Sequence, residues 1–211
     1  MFSTPDNEFE CLRGKRLLLR GIKDDDLGYF IEYKGDHQAG SLHHRERLCL
    51  TKQGDVSQYY LKARNSQLDV PGQRYHFIIE KLDHKTRLGD CWIYTDKIDH
   101  RQVEVGISIK PLFRKQDYAL EALTYLFEYL FWEREKNKIK AYTDSRDMVG
   151  QNLSTRMGMR QEAHFVDNIL LGRNWYDEFL FAILRRDWLK NRNSPDFSSL
   201  DVASKERHIR R

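Results

Sequence analysis

The chain has 211 residues, 40% of them hydrophobic and 32% charged, with 36 basic against 32 acidic side chains and a formal charge of +4. That length suits one domain with a sizeable core, and a near-balanced charge without a basic stripe interleaved with aromatics argues against nucleic acid as a partner. No apolar run approaches transmembrane length and the opening MFSTPDNEFE is acidic and polar rather than a leader, so the expectation is a cytoplasmic protein with no membrane partner.

In chain order, Lys15 to Ile22 (KRLLLRGI) reads as a short apolar strand closed by Gly21. Asp24, Asp25 and Asp26 open a helix, because acids suit the positive end of its dipole, and Leu27, Phe30 and Ile31 give it one apolar face. Adjacent helical side chains point apart, so the three acids read as capping and dipole compensation rather than as metal ligands. His37 to Leu50 reads as polar loop, with His43-His44 solvated for the same geometric reason. Asp55 to Ala63 predicts a second helix, capped by Asp55 and directing Val56, Tyr59 and Tyr60 inward. Pro71-Gly72 marks a turn. Tyr75 to Leu82 and Thr86 to Asp96 predict a hairpin joined by Asp83-His84-Lys85. Cys11, Cys49 and Cys91 are odd in number, far apart and without CxxC spacing, which reads as free, reduced thiols.

Val103 to Leu130 organises the rest. Val103, Val105, Ile107 and Ile109 alternate with Glu104, Gly106 and Ser108 as a strand requires, completing a three-stranded meander. Pro111 ends the ladder. From Ala119 the period becomes helical, with Ala119, Leu123, Leu126 and Leu130 in a stripe widened by Ala122 and Phe127. The loop between them therefore meets a helix N-terminus, whose unpaired amides favour anions, and Arg114 and Lys115 stand beside it. A phosphorylated cofactor fits such a cradle. Lys138 to Thr143 is a short strand, parallel to the Val103 strand because a helix intervenes. Met148 to Met157 predicts a helix with Val149, Leu153 and Met157 on one side and Gly158 as its left-handed C-cap. Met159 to Leu170 and Tyr176 to Leu184 are the last strands, turning through Gly172-Arg173-Asn174.

This β-α-α-β-β-β-α-β-α-β-β order, with these local sequences, resembles the GNAT superfamily of acyl-CoA N-acyltransferases, and most of all the branch acting on N-terminal amines of ribosomal proteins. LLLRGIKDDDLGYF is similar to that branch's opening strand and helix, RLGDCWIY to its third strand, VEVGISIKPLFRKQDYALEAL to its cofactor segment, and RMGMRQEAHFVDN with WYDEFLFAILRRDW to its close. The resemblance runs from Leu12 to Trp188. It implies an α/β (α+β) fold: a mixed, mostly antiparallel sheet of about six to seven strands with helices on both faces. The expected organisation is one domain over residues 1–190 and a polar tail over 191–211. It further implies acetyl-CoA as cofactor and direct transfer to a primary amine, of a protein N-terminus or a small molecule, in a ternary complex. Relatives are often dimers, which admits a homodimer here and leaves the oligomeric state open.

Carried onto this chain, the backbone of Ile107, Ser108 and Ile109 would pair with the pantetheine arm as an added strand would. Arg114, Lys115, Gln116, Asp117, Tyr118 and Ala119 would meet the diphosphate. In this loop Asp117 stands at a family glycine position and Lys115 at a second one. Asp117 brings negative charge and is a good N-cap for the amides of Ala119 or Leu120, so weaker cofactor binding is expected, and an anion site closed by its own cap is the competing expectation. Where the branch has Asn-x-x-Ser, this chain has Asp147 and Gly150. Asp147 would take the place of the Asn that holds the pantetheine arm. Gly150 has no proton to give, which leaves Tyr142 as candidate acid toward the leaving thiolate. Glu104 is the candidate base for the amine. Two other functions are compatible with these departures: a GNAT-fold CoA sensor or protein-interaction module without catalysis, and transfer from another donor such as succinyl-CoA.

Overall fold

A computed structural model describes residues 11–34, 53–171 and 173–191. His43-His44, Cys49, Gly172 and the tail beyond Asn191 lie outside the described residues. Within them, eight strands form one mixed sheet in the order β1-β2-β3-β4-β5-β6-β8-β7. These are β1 (Leu12–Arg13), β2 (Leu17–Gly21), β3 (Arg74–Lys81), β4 (Arg87–Thr95), β5 (Gln102–Ile109), β6 (Lys138–Asp144), β7 (Arg160–Leu171) and β8 (Asn174–Leu184). The helices are α1 (Leu27–Lys34), α2 (Gln53–Arg64), α3 (Tyr118–Glu128), α4 (Met148–Arg156) and α5 (Arg185–Asn191). The strand beyond the expected six to seven is β1, two residues that pair with Leu18 and Leu19 of β2.

The period-2 pattern of β3 divides the core. Phe77 and Ile79 face the large cluster formed with Leu123, Leu126, Phe127 and Leu130, whereas Ile78 between them joins Phe30, Val56 and Tyr60 under α1 and α2. Helices therefore cover both faces, as hydrophobic strands on both sides of a sheet require. The expected stripe of α3 is buried apart from Ala119, which is half-buried. It continues past Glu128 into a π-helical turn, Tyr129–Glu133, which keeps Leu130 and Phe131 inside.

Two local expectations are corrected. The second helix begins at Gln53, so Asp55 stands inside its first turn and not at its cap. Val149 is 75% exposed and does not share the buried side of α4 with Met157, because it belongs to the wall of a cleft. Gly158 takes φ +74°, the left-handed conformation expected of it. Cys91 is a buried free thiol, raised well above its ordinary pKa by burial, and Cys11 is free and exposed.

The three aspartates point apart, as consecutive helical residues must. Asp26 is fully buried, taking hydrogen bonds from Arg20 (2.8 Å), Arg87 (2.6 Å) and the Lys23 amide (2.7 Å). Asp24 and Asp25 face solvent and pair with Arg64 and Arg87. Burial by itself would raise the Asp26 carboxyl, but these donors hold it below the ordinary carboxylate value.

Candidate active site

The feature that makes a site is the divergence of β5 from β6. The two strands pair in parallel only over Gln102–Glu104 and Lys138–Lys140, although β5 runs on to Ile109 and β6 to Asp144. Beyond that short ladder they open into a wedge. Alternate residues of a strand turn their amides to opposite sides. The Lys110 amide bonds the Leu88 carbonyl in β4, so even-numbered residues of β5 face β4, and Ile107 and Ile109 face the wedge. Ser108 thus lines the cleft while its amide is turned to β4, and the available edge is that of Ile107 and Ile109. The Ile109 carbonyl is already taken by Arg114 Nε at 3.0 Å.

A cleft of about 680 Å³ occupies the wedge and reaches the N-terminus of α3. It is lined on one side by Ile107, Ser108 and Ile109 and at its head by Arg114, Lys115, Asp117, Tyr118 and Ala119. The opposite wall includes Asp144, Arg146, Asp147, Gly150, Asn152 and Arg156. The expected cofactor-binding residues come together here with one exception. Gln116 is turned away and its carbonyl accepts from Arg16 Nη1 at 3.2 Å. Arg16 also holds Glu121 in the first turn of α3 (Nε to Oε2, 2.6 Å) and lies over the Tyr118 ring at 4.5 Å, tying the loop to β2.

The loop keeps the conformation that glycine would give it. Lys115 and Asp117 have φ of +60° and +58°, both left-handed, and these are the two positions where glycine is usual in the resemblance. Asp tolerates that region better than most residues, whereas Lys does so at a cost of about 1 kcal/mol or more. The competing expectation, a helix closed by its own cap, is not met: Asp117 makes no side-chain capping bond. Its carboxylate instead takes Arg156 Nη1 at 2.7 Å, and its carbonyl takes the Glu121 amide at 3.0 Å. The first amides of α3, which an α-helix leaves without internal partners, therefore point to the cleft from residues that line it.

Asp147 does cap a helix. Its Oδ1 accepts from the Gly150 amide at 2.9 Å, which fixes the start of α4 against the cleft. Asp144 is buried and gripped by Arg146 through Nε (2.9 Å) and Nη2 (2.6 Å), and the Arg146 guanidinium lies 3.4 Å from the Tyr176 ring centroid. Arg146, Asn152 and Arg156 are wall residues that sequence reasoning missed. The pairing of Arg156 with Asp117 spans 39 positions and has no local signal.

Glu104 and Tyr142 do not line this cleft. Val103, Val105, Ile139 and Ala141 face the α3 core, so Glu104, Lys140 and Tyr142 stand on the opposite, α1–α2 face. Glu104 sits beside its register partners Tyr94 and Lys140 at the point where β5 and β6 part. Tyr142 follows two residues on, stacked with Phe165 at a centroid distance of 6.2 Å, and the next residue on its face is Asp144 of the cleft wall.

Gly89 shapes the same site from behind. A Cβ there would lie 2.0 Å from the Ser108 carbonyl oxygen and 3.0 Å from the Ile109 Cα, so only glycine lets β4 approach β5 at the cleft.

A split sheet with an uncapped helix N-terminus at the head of its wedge defines an acyl-CoA-dependent N-acetyltransferase of the GNAT class. The chain belongs to that family: residues 16–160 match the acetyltransferase (GNAT) domain. It is 32% identical over 175 residues to the protein of Bacillus subtilis (strain 168) named Uncharacterized N-acetyltransferase YnaD, spanning 82% of this chain and 96% of that one. Among solved structures, a GNAT-family acetyltransferase from Bacillus anthracis superposes with a TM-score of 0.71 at 22% identity, covering 83% of this chain and 99% of its own. The spermidine/spermine N-acetyltransferase SpeG from Vibrio cholerae has the same fold at TM-score 0.65 and 19% identity, covering 85% and 98%.

Proposed function

We propose that the cleft between β5 and β6 binds acetyl-CoA and that the enzyme transfers its acetyl group directly to a primary amine entering from the α1–α2 face. The observation that carries this reading is the alignment of an open strand edge with the uncapped first turn of α3. The edge of Ile107 and Ile109 suits the amides of a pantetheine arm, and Asp147 offers a further acceptor to it. The amides of Tyr118 and Ala119, with Arg114, Lys115 and Arg156, suit a diphosphate. When bound, acetyl-CoA supplies the thioester acyl group that the amine attacks.

The chain's own contribution is positional and protonic. Backbone groups at both ends of the cleft fix the ligand with little dependence on side chains, and orientation of this kind is worth up to about 7–11 kcal/mol in well-placed cases. Glu104, on the acceptor face where the strands part, takes the proton that the amine sheds. Tyr142, between Glu104's partner Lys140 and the cleft wall at Asp144, is the proton donor toward the departing sulfur.

Calorimetric titration with acetyl-CoA, followed by transfer assays on primary amines and peptide N-termini, tests the reading. Saturable one-to-one binding with turnover is expected. No binding at millimolar acetyl-CoA would refute it.

A further inference from the structure

Lys140 and Glu104 are register partners on the α1–α2 face, at the last pair before β5 and β6 part, yet the Lys140 ammonium is directed to Asp96: Nζ donates to Oδ2 at 3.1 Å. Asp96 lies on the far side of β5 from β6. Its amide donates to the Gln102 carbonyl at 3.0 Å, continuing the β4–β5 ladder one residue past the Thr95–Val103 pair. The Lys140 side chain therefore crosses the backbone of β5 between Gln102 and Glu104. Its root and that of Asp96 stand two strand spacings apart, about 10 Å. A positive charge is thus carried past the candidate base.

Asp96 is a fixed anchor. Its Oδ1 takes the amides of Ile98 (2.9 Å) and Asp99 (3.2 Å) in the turn that joins β4 to β5, while Oδ2 takes Lys140. Those two amides first, and Lys140 after them, hold the carboxyl below its ordinary value and keep it charged. Other groups surround Glu104 among the described residues. Arg74, Tyr94 and Glu104 form one row across β3, β4 and β5, Tyr59 and Lys62 of α2 and His76 of β3 share a concavity with Arg74 and Tyr94, and Tyr142 follows Lys140 on β6. Lys138, one position back on that face of β6, is paired with Glu162. These form a background common to the parent and to any variant of Asp96 or Lys140.

We propose that Asp96 is a positioning residue for acetyl transfer: by holding the Lys140 ammonium it keeps that cation from closing onto Glu104, and so keeps Glu104 basic enough to take the proton of the amine. This rests on the acetyl-transfer reading above, with Glu104 as its base. A carboxylate paired directly with an ammonium holds its proton less tightly and is the weaker base. Asp96 opposes this twice, as a competing partner for Lys140 and as a like charge diagonal to Glu104 across the two strands.

Carbon-13 NMR of the Glu104 carboxyl tests the proposal, in glutamate-labelled enzyme bound to acetyl-CoA, with the resonance assigned by its loss in Glu104→Gln. Asp96→Asn keeps an oxygen for the turn amides but removes the charge and releases Lys140. The Glu104 titration midpoint should then fall by about half a pH unit or more. Lys140→Met keeps the apolar stem and removes the cation, so the midpoint should rise. The double variant should return toward the parent. The acidic limb of kcat against pH, measured with an amine that the parent turns over, should move with each midpoint. A role confined to the turn or the sheet would lower melting temperatures and move neither midpoint. Midpoints that stay in place, or that move the same way in both single variants, overturn the proposal. A kcat profile that does not follow the midpoints overturns it while leaving acetyl transfer standing. Absence of acetyl-CoA binding, or of transfer to any amine, overturns the reading beneath it and the proposal together.

Discussion

Arg156 and Asp117 meet across the mouth of the cleft, Nη1 2.7 Å from Oδ1, one from the last residue of α4 and the other from the residue before α3. Both side chains are more than half exposed, and an exposed pair of this kind is worth about 0–1 kcal/mol. It is easily exchanged. A diphosphate bound as proposed would bring more charge than Asp117 and compete for Arg156, while the Asp117 carboxylate would oppose the same ligand.

Asp117→Gly should therefore tighten acetyl-CoA binding by about three- to tenfold, the order expected for removing one like charge from the lining of a partly screened site. It frees Arg156 and keeps the φ of +58° that glycine adopts without strain. Arg156→Ala should weaken binding. Calorimetry on both variants checks this, and an unchanged or weaker dissociation constant for Asp117→Gly counts against it.

Gly89→Ala should weaken the cofactor site although Gly89 does not itself line the cleft. The new methyl collides with the Ser108 carbonyl, a backbone atom that cannot rotate aside. Overpacking of this kind costs about 1–3 kcal/mol, part of it read as lost stability and part as displaced β5. A lower melting temperature together with weaker acetyl-CoA affinity is expected. A variant with wild-type affinity would show that the close approach of β4 does not set the strand edge.

Glu104→Gln should lower kcat near neutral pH by about 10²-fold or more, with acetyl-CoA affinity nearly intact. The sign with pH follows from the amine. Below its own pKa it needs a base to remove a proton, and above that pKa it is already neutral. The deficit should therefore narrow as pH rises. A deficit that is flat across the pH profile would leave Glu104 without the base role.

Asp26→Asn should cost about 3–5 kcal/mol at neutral pH, because it leaves Arg20 and Arg87 without the buried charge they share. The folded-state carboxyl lies below its ordinary value of 3.8. Its contribution is complete above that value and is lost as pH falls through the folded pKa. Melting curves of variant and parent should thus differ most near neutrality and converge below pH 3.8. Parallel curves down to low pH would sink this account.

The order of strands and helices was legible because each element carries its own period. Alternation in Val103–Ile109 and the 3.6-residue stripe from Ala119 to Leu130 are local properties, fixed by which side chains can be buried together. Family membership was legible for the same reason, since its motifs are short stretches of chain. Glu104 and Tyr142, chosen by strand and face, were readable as positions but not as members of a cavity.

The sequence by itself determined that an anion-friendly helix start follows a strand, and that Asp117 and Lys115 replace two glycines there. Only the tertiary structure decided that both residues keep glycine's left-handed backbone, and that Asp117 pairs with Arg156 rather than folding back onto the helix amides. It likewise decided that β5 and β6 part after three pairs, and that Arg74, Tyr94 and Glu104 share one row. These depend on contacts between residues far apart in the chain. No propensity encodes them, because the partner that settles each one arrives only when the sheet closes.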